Sequence, residues 1–445
     1  MNDQNKPRIL SINSKDLGGG AEKISLDLHR YYLALGKDSK LLVGHKKTDF
    51  PFIYEIPIPG WYQLWGSIDK QFTNPHSKGS YFLHRLVKII KAPLREFTHE
   101  LGLENYYYPE SRRMVKKLQV DADIVHMHNL HNEYFDLSML PTVSRQKPSL
   151  ITLHDEYLYT GHCASSLGCE RWRIGCAECP HLDIYPPVKR DRTHFNWERK
   201  KSLFSKSQVT LVTPSQWLAQ RVSGSFLSHL QVKVIPNGID LEIFKTGSQE
   251  KVRDILNLDQ QAFIILFTAA YGRLNPFKDF TMLDRFIDQL KNQPLGKPVI
   301  LIALGGGQLR KELFTGVWLI EVPFINDPKE IAQYYQACDL YIHPAKAETF
   351  GLAIIEAMAC GKAVVATSVG GIPELVREGI TGYMVPIGDD ATMTERIISM
   401  INKPDQLKEM GAWATKLAQE EYDLKLMARN YLSLYQEIIE EKKPK

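Results

Sequence analysis

Two carboxylates, Glu348 and Glu356, bracket the stretch Glu348-Thr349-Phe350-Gly351-Leu352-Ala353-Ile354-Ile355-Glu356. The first precedes a helix-like segment and the second lies more than one turn inside it. A ligand seated at the helix start would therefore meet one glutamate at each end. A carboxylate suits sugar hydroxyls because it accepts two hydrogen bonds from vicinal OH groups. The backbone N–H groups where the helix begins suit an anion such as a diphosphate. Two cations, Arg273 and Lys278, stand five residues apart on a loop after another apolar run, where they could neutralise such a diphosphate. Taken singly, each group also fits an ordinary solvated or ion-paired side chain. The two glutamates together point to a ligand that is part sugar and part phosphate.

The elements that must position these groups alternate between strand and helix. Leu340 to Pro344 is a buried strand, Ala345 to Thr349 a loop, and Gly351 to Cys360 a helix closed by Gly361. Ala262 to Thr268 and Val299 to Leu304 are continuous apolar runs suited to strands covered on both faces. In the first half, Arg8 to Ile12 is a strand and Ala21 to Leu35 a helix with Ile24, Leu28, Tyr31, Tyr32 and Leu35 on one stripe. Between them, Asp16-Leu17-Gly18-Gly19-Gly20-Ala21-Glu22 lets a ligand approach backbone. It lacks the GxGxxG spacing of a dinucleotide site, and the next strand ends in Gly44-His45 rather than an acidic residue, which disfavours NAD. Ser149 to Leu153 delivers His154 and Asp155 to a strand's carboxyl end, where ligands bind in open α/β sheets. Ser215 is placed to cap a helix, and Leu424 to Glu440 is helical. Asp121-Ala122-Asp123 has the D-x-D form of metal-dependent transferases but precedes a buried strand where that motif should follow one, so it reads as a chance match.

The chain has 445 residues, too many for one usual core, so two domains are expected. Apolar content of 44% and charged content of 24% describe a globular protein, and a net charge of +4 without charge blocks argues against nucleic-acid binding. No apolar segment follows Met1 to Lys6, and no run approaches the roughly 18 apolar residues of a membrane span; a cytoplasmic location is expected. Six cysteines are present, and Cys163, Cys169, Cys176 and Cys179 follow the pattern C-x5-C-x6-C-x2-C. In a reducing compartment four clustered thiolates fit a structural zinc, with His162 and His181 as substitute ligands and free or buried thiols as the alternative. Residues 51 to 110 are rich in aromatics, including Trp61, Tyr62, Trp65 and Tyr106 to Tyr108. Within them Leu83, Val87, Ile90 and Leu94 form a helical stripe flanked by basic residues, which either lies on anionic lipid or packs on its own domain; Pro93 would break or kink it.

The glutamate stretch, with Met358 to Thr367 and Gly370 to Val376, resembles the nucleotide-sugar signature of family 4 glycosyltransferases of the GT-B fold. The glycine loop, the Arg273/Lys278 pair and the Cys loop, which is similar to a subgroup of exopolysaccharide and capsule enzymes, extend the resemblance over nearly the whole chain. It implies an α/β GT-B architecture of two Rossmann-like domains facing a central cleft: an acceptor-binding domain over 1–235, with insert 51–110 and Cys loop 160–180; a nucleotide-sugar-binding domain over 236–424; and a helix over 425–445 returning to the first. It implies transfer of a hexosyl group from a nucleoside-diphosphate sugar to a saccharide hydroxyl, with retention and without a catalytic metal. The acceptor would be a lipid-linked glycan of exopolysaccharide, capsule or lipopolysaccharide assembly, met peripherally at the inner face of the plasma membrane. By the same resemblance His154, Arg273, Lys278 and Glu348 are catalytic. Gly19, Gly20, Asn237, Ile325, Thr349, Phe350, Gly351, Leu352 and Glu356 contact the donor or its phosphates. Asp279 stands where the family has Gly. A non-catalytic sugar-binding scaffold or a GT-B-like epimerase is the alternative; loss of Lys278 or Glu348 would favour the scaffold, and both are present.

Overall fold

The structure is a computed structural model that describes residues 7–57, 93–106, 108–270 and 272–443. The stripe through Leu83, Val87 and Ile90, and Trp61, Tyr62 and Trp65, lie outside the described residues. Pro93 and Leu94 fall at the start of the described part of a helix, Pro93–Glu100, and the residues just before it lie outside the described ones. The chain divides into two compact units, the first formed by Met1–Thr213, Ala219–Lys233 and Leu432–Lys445 and the second by Pro214–Leu218 and Val234–Tyr431.

The first unit is built on a seven-stranded sheet of β1 (Ile9–Lys15), β2 (Ser39–His45), β3 (Ile53–Glu55), β4 (Ile124–Met127), β5 (Ser149–Thr152), β6 (Thr210–Thr213) and β7 (Val232–Val234), in the order β3-β2-β1-β4-β5-β6-β7. β1 pairs in parallel with both β2 and β4. The strand order thus reverses beside β1, and the loops after β1 and β4 open at that switch point. The helix Gly20–Ala34 covers the sheet with Ile24, Leu28 and Tyr32 buried, while Leu35 falls beyond its end and is exposed. The D-x-D aspartates sit at the opposite, amino end of β4, where Asp123 accepts from the Arg8 backbone and guanidinium at 2.9 and 2.8 Å.

The second unit shares the first sheet's order through six strands, adds a strand at one edge and has no counterpart to β7 at the other. Its strands are β8 (Phe263–Thr268), β9 (Val299–Leu304), β10 (Leu309–Phe314), β11 (Val317–Val322), β12 (Leu340–His343), β13 (Ala363–Thr367) and β14 (Gly382–Val385), ordered β10-β11-β9-β8-β12-β13-β14. β10 is an antiparallel edge strand on β11, and β8 pairs in parallel with β9 and β12. Two apolar layers cover the sheet, one through Ile264, Leu266 and Tyr341 and one through Ile265, Phe267 and Ile342, as expected of a parallel sheet buried on both faces. Among the described residues no helix is long and apolar enough to cross a membrane.

The Cys loop has little apolar core of its own and is tied to the first unit by buried polar groups. Glu156 accepts from Arg221 Nε at 2.5 Å, from the Ser166 backbone at 2.6 Å and from Tyr159 Oη at 2.8 Å. The Lys200 ammonium, fully buried over the Tyr157 ring, donates to the carbonyls of Tyr157 and Thr160 at 2.8 and 3.1 Å. Removing one partner of such a pair strands the other charge, at a cost of about 3 to 5 kcal/mol. Arg221→Ala is therefore expected to lower the urea midpoint of the transition that reports on Trp172, which stacks under Arg221; an unchanged midpoint would remove Arg221 as the anchor.

Candidate active site

The strongest cluster forms at the switch point of the second sheet, where β8 and β12 lie side by side and their following loops are zipped together. Lys278 bridges Ala345, the Asp279 N–H donates to the Pro344 carbonyl at 2.9 Å, and the Lys346 N–H donates to the Phe277 carbonyl at 2.8 Å. Asp279 also caps the helix Phe280–Leu290, accepting from the Met282 N–H at 3.1 Å. That is the reason an aspartate is accommodated where a glycine was expected.

This zipping brings Lys278 and Glu348 together. Lys278 Nζ lies 3.0 Å from Glu348 Oε2 and 2.7 Å from His343 Nε2. Burial alone would raise the Glu348 carboxyl, yet the Lys278 ammonium beside it holds it well below the usual carboxylate range. Its contribution to stability is therefore present above the ordinary glutamate range and lost only as pH falls far below it. Burial, then the charge of Lys278, pulls the His343 imidazole down to about 4, so it is neutral near pH 7. His343 Nδ1 lies 2.9 Å from Tyr341 Oη, which lies 2.7 Å from Thr268 Oγ1. Sequence reasoning gave His343 no role.

The helix beginning here spans Leu352–Ala359, one residue shorter at each end than expected, because Gly351 at φ +109° serves as its N-cap. Gly361, at φ +80°, closes it with its N–H on the Met358 carbonyl. Phe350 is buried, Thr349 half-buried, and Glu356 is buried with Tyr335 Oη donating to it at 3.0 Å. Gly370 fits tightly against this segment: at φ +59°, a Cβ there would come within 1.7 Å of the Glu348 carbonyl.

Arg273 is not drawn into the Lys278 cluster. Its guanidinium forms a bidentate pair with Asp284 at 2.9 and 2.6 Å. It lines a cavity of about 200 Å³ with Gly272, Phe280, Gly306, Gly307 and Glu321. Ile325 is half-buried against the core, and Asn237 is buried, its Oδ1 without a hydrogen-bond partner among the described residues.

In the first unit, Gly19 and Gly20 open the helix after β1, where Glu22 accepts from the Gly19 N–H at 3.0 Å and from Ser14 Oγ at 2.8 Å. His154, past β5, meets His128 from the end of β4, Nε2 to Nδ1 at 2.9 Å with the rings stacked. Burial brings His154 down to about 4. Beside them His131 Nε2 lies 2.8 Å from Asp155 Oδ2; burial opposes the His131 charge, but Asp155 raises its pKa overall. The sequence offered one signal for this group, histidines recurring in and just after one buried strand at 126, 128 and 131.

Cys163, Cys169, Cys176 and Cys179 are free and line one cavity of about 20 Å³ together with His162, whose Nε2 is 3.3 Å from Cys179 Sγ. The donor set suits zinc. Among the described residues, however, no three Cys, His, Asp or Glu side chains are grouped so that they could hold a metal ion.

A model described as Glycosyltransferase Family 4 matches residues 18–243, just over half of the chain. The chain belongs to Glycosyltransferase Family 4. A second model, Glycosyl transferases group 1, matches residues 248–417 and so includes the Lys278–Glu348 cluster of this Family 4 member. Over 97% of the chain and 100% of the relative, it is 23% identical to WcaC of Escherichia coli K12, a protein named as a colanic acid biosynthesis glycosyl transferase. It is 34% identical to D-inositol 3-phosphate glycosyltransferase 1 of Catenulispora acidiphila, over 42% of this chain and only 47% of that relative's length. The fold is shared with sucrose-phosphate synthase of Thermosynechococcus elongatus, at TM-score 0.66, 18% identity and coverage of 98% and 100%. Anabaena HepE, solved in complex with UDP and glucose, superposes at TM-score 0.60 with 19% identity, covering 97% of this chain and 99% of its own. The expected class, GT-B with two Rossmann-like domains, agrees with the two sheets and these neighbours.

Gly370→Ala is expected to cost about 2 to 4 kcal/mol, from the left-handed backbone and the collision with the Glu348 carbonyl. A thermal midpoint equal to that of the unsubstituted protein would show that the two loops are not held in contact.

Proposed function

We propose that this protein transfers a glycosyl group from a nucleoside-diphosphate sugar to a saccharide hydroxyl. The observation that carries the reading is the Lys278–Glu348 pair beside a helix start at a sheet switch point. A cation for phosphate, a carboxylate for sugar hydroxyls and oriented N–H groups occupy one place. The second unit takes the donor. The first takes the acceptor, with Gly19, Gly20 and the His128–His154 pair lining the ends of β1, β4 and β5.

The mechanism follows from charge. As the glycosidic bond breaks, negative charge grows on the diphosphate and positive charge on the sugar. Lys278 and the amides from Phe350 to Leu352 stabilise the first. Glu348 orients the sugar and Glu356 the ribose; Thr349, Ile325 and Asn237 complete the donor contacts. Arg273 joins the phosphates on exchanging Asp284 for them, a swap available to an exposed bidentate pair. No divalent ion has a step in this scheme. Transfer retains the anomeric configuration, the departing phosphate taking the acceptor proton on the same face. His154, neutral near pH 7, binds an acceptor hydroxyl. Similarity along the whole chain to WcaC, named for colanic acid biosynthesis, supports an acceptor in polysaccharide assembly; in this proposal it is a lipid-linked glycan met at the inner membrane face by a peripheral, cytoplasmic enzyme. The chemistry and spacing of the four thiols support a structural zinc in the Cys loop, which would require the thiols to draw together around it from their present positions, and which would stiffen the loop and do no chemistry.

Nucleoside diphosphate released from UDP-, GDP-, ADP- and dTDP-sugars, without added metal, tests the reading. Release from at least one donor is expected, with Lys278→Ala lowering it about 100-fold or more at little change in thermal midpoint; unchanged release would take Lys278 out of the mechanism. Elemental analysis is expected to find about one zinc per chain. A folded, metal-free preparation would end that part of the proposal.

A further inference from the structure

The buried string behind Lys278 does more than fill the core. A lysine ammonium has three N–H groups and no acceptor, so the His343 nitrogen 2.7 Å from it must accept. That choice propagates. With Nε2 accepting, the single ring proton of a neutral imidazole sits on Nδ1 and donates to Tyr341 Oη at 2.9 Å, and the Tyr341 O–H donates onward to Thr268 Oγ1 at 2.7 Å. Tyr341 and His343 lie two apart on β12 and share a face, and Thr268 ends the neighbouring β8. Tyr341 and His343 are at most 1% exposed, so water offers their ring and hydroxyl no competing partner.

His343 Nε2 also lies 3.2 Å from Glu348 Oε2. A nitrogen already accepting from Lys278 has no proton to give the carboxylate. Both atoms face the same ammonium, and it is the lysine that holds them together.

We propose that His343 is a positioning residue for Lys278: it accepts one ammonium proton and fixes the lysine beside Glu348, leaving one N–H to meet the donor diphosphate. This rests on the donor reading of the second unit. Two of the three ammonium protons are engaged, by His343 and Glu348. The ammonium is thereby held near the mouth of the loop without its full hydrogen-bonding capacity being consumed. A leucine at 343 would fill the space but leave the lysine free to collapse onto Glu348. A glutamine would offer an amide oxygen near the position of Nε2.

The test is calorimetric titration with UDP, GDP, ADP and dTDP, comparing the unsubstituted protein with His343→Leu, His343→Gln and Tyr341→Phe. For the nucleotide that binds, His343→Leu is expected to weaken affinity about tenfold, the order of a charge-assisted hydrogen bond. His343→Gln should stay within about threefold, and Tyr341→Phe, which removes only the outer link, should fall between them. A merely structural role would make His343→Gln as weak as His343→Leu, and that result overturns the inference. So does a His343→Leu protein that binds as tightly as the original. If His343→Leu fails to fold, the Tyr341→Phe and His343→Gln affinities decide: both weakened equally, or both unchanged with normal turnover, counts against positioning. Absence of binding by the unsubstituted protein overturns the donor reading and this inference with it, an outcome distinct from all of these.

Discussion

Parallel pairing of β8 with β12 is the constraint on which the candidate site depends. Parallel neighbours emit their following loops from the same edge of a sheet, and at a switch point the intervening helices leave to opposite faces, so the two loops stand beside an opening with nothing between them. Lys278 and Glu348 are 70 residues apart in the chain and 3.0 Å apart in space for that reason. The backbone bridge from Lys278 to Ala345, and the close fit of Gly370 under the Glu348 carbonyl, convert that proximity into a defined geometry. The first sheet uses the same order and so collects Gly19, His128 and His154 at its own carboxyl edge.

The two sites are held by different means. Around Lys278 the support is a neutral, buried hydrogen-bond string resting on a sheet covered on both faces. Around the Cys loop it is charge, through Glu156 with Arg221 and through the Lys200 ammonium on backbone carbonyls. A buried ion pair is a poor source of net stability but a strict specifier of arrangement, since any other arrangement leaves a charge unpaired. A loop with four thiols and little core gains more from such specification than from apolar area.

Much of this was legible from residue order. Apolar runs at 262–268, 299–304 and 340–344 marked buried strands because both of their faces are covered, and the pair Glu348 and Glu356 marked the loop and helix beside which Lys278 is found. Less legible was anything that needed partners across the sheet. His343 looked like one more residue of a buried run until β8 brought Thr268 and Lys278 against it. Arg273 showed its charge but not that Asp284, eleven residues on, would take it in bidentate fashion. The hairpin of β10 and β11 left little trace, since an exposed edge strand carrying Arg310, Lys311 and Glu312 has no apolar face to impose a period. The spacing of the four cysteines pointed to a shared zinc, and the structure places them around one cavity; how closely their sulfur atoms approach is a matter of loop packing that spacing does not encode.

The first unit is assembled from both sides of the second in the sequence. His126, in the middle of β4, is hydrogen-bonded through Nδ1 to Tyr435 Oη at 2.7 Å, and Tyr32 from the first helix reaches the same hydroxyl. Burial lowers that histidine to about 3, so the imidazole stays neutral and depends on a neutral partner. During synthesis the ribosome must make the entire second unit before Tyr435 emerges, so the unit begun first is the one completed last. Until then His126 keeps Thr152 Oγ1, 2.8 Å from its Nε2, and lacks the Tyr435 hydroxyl on Nδ1.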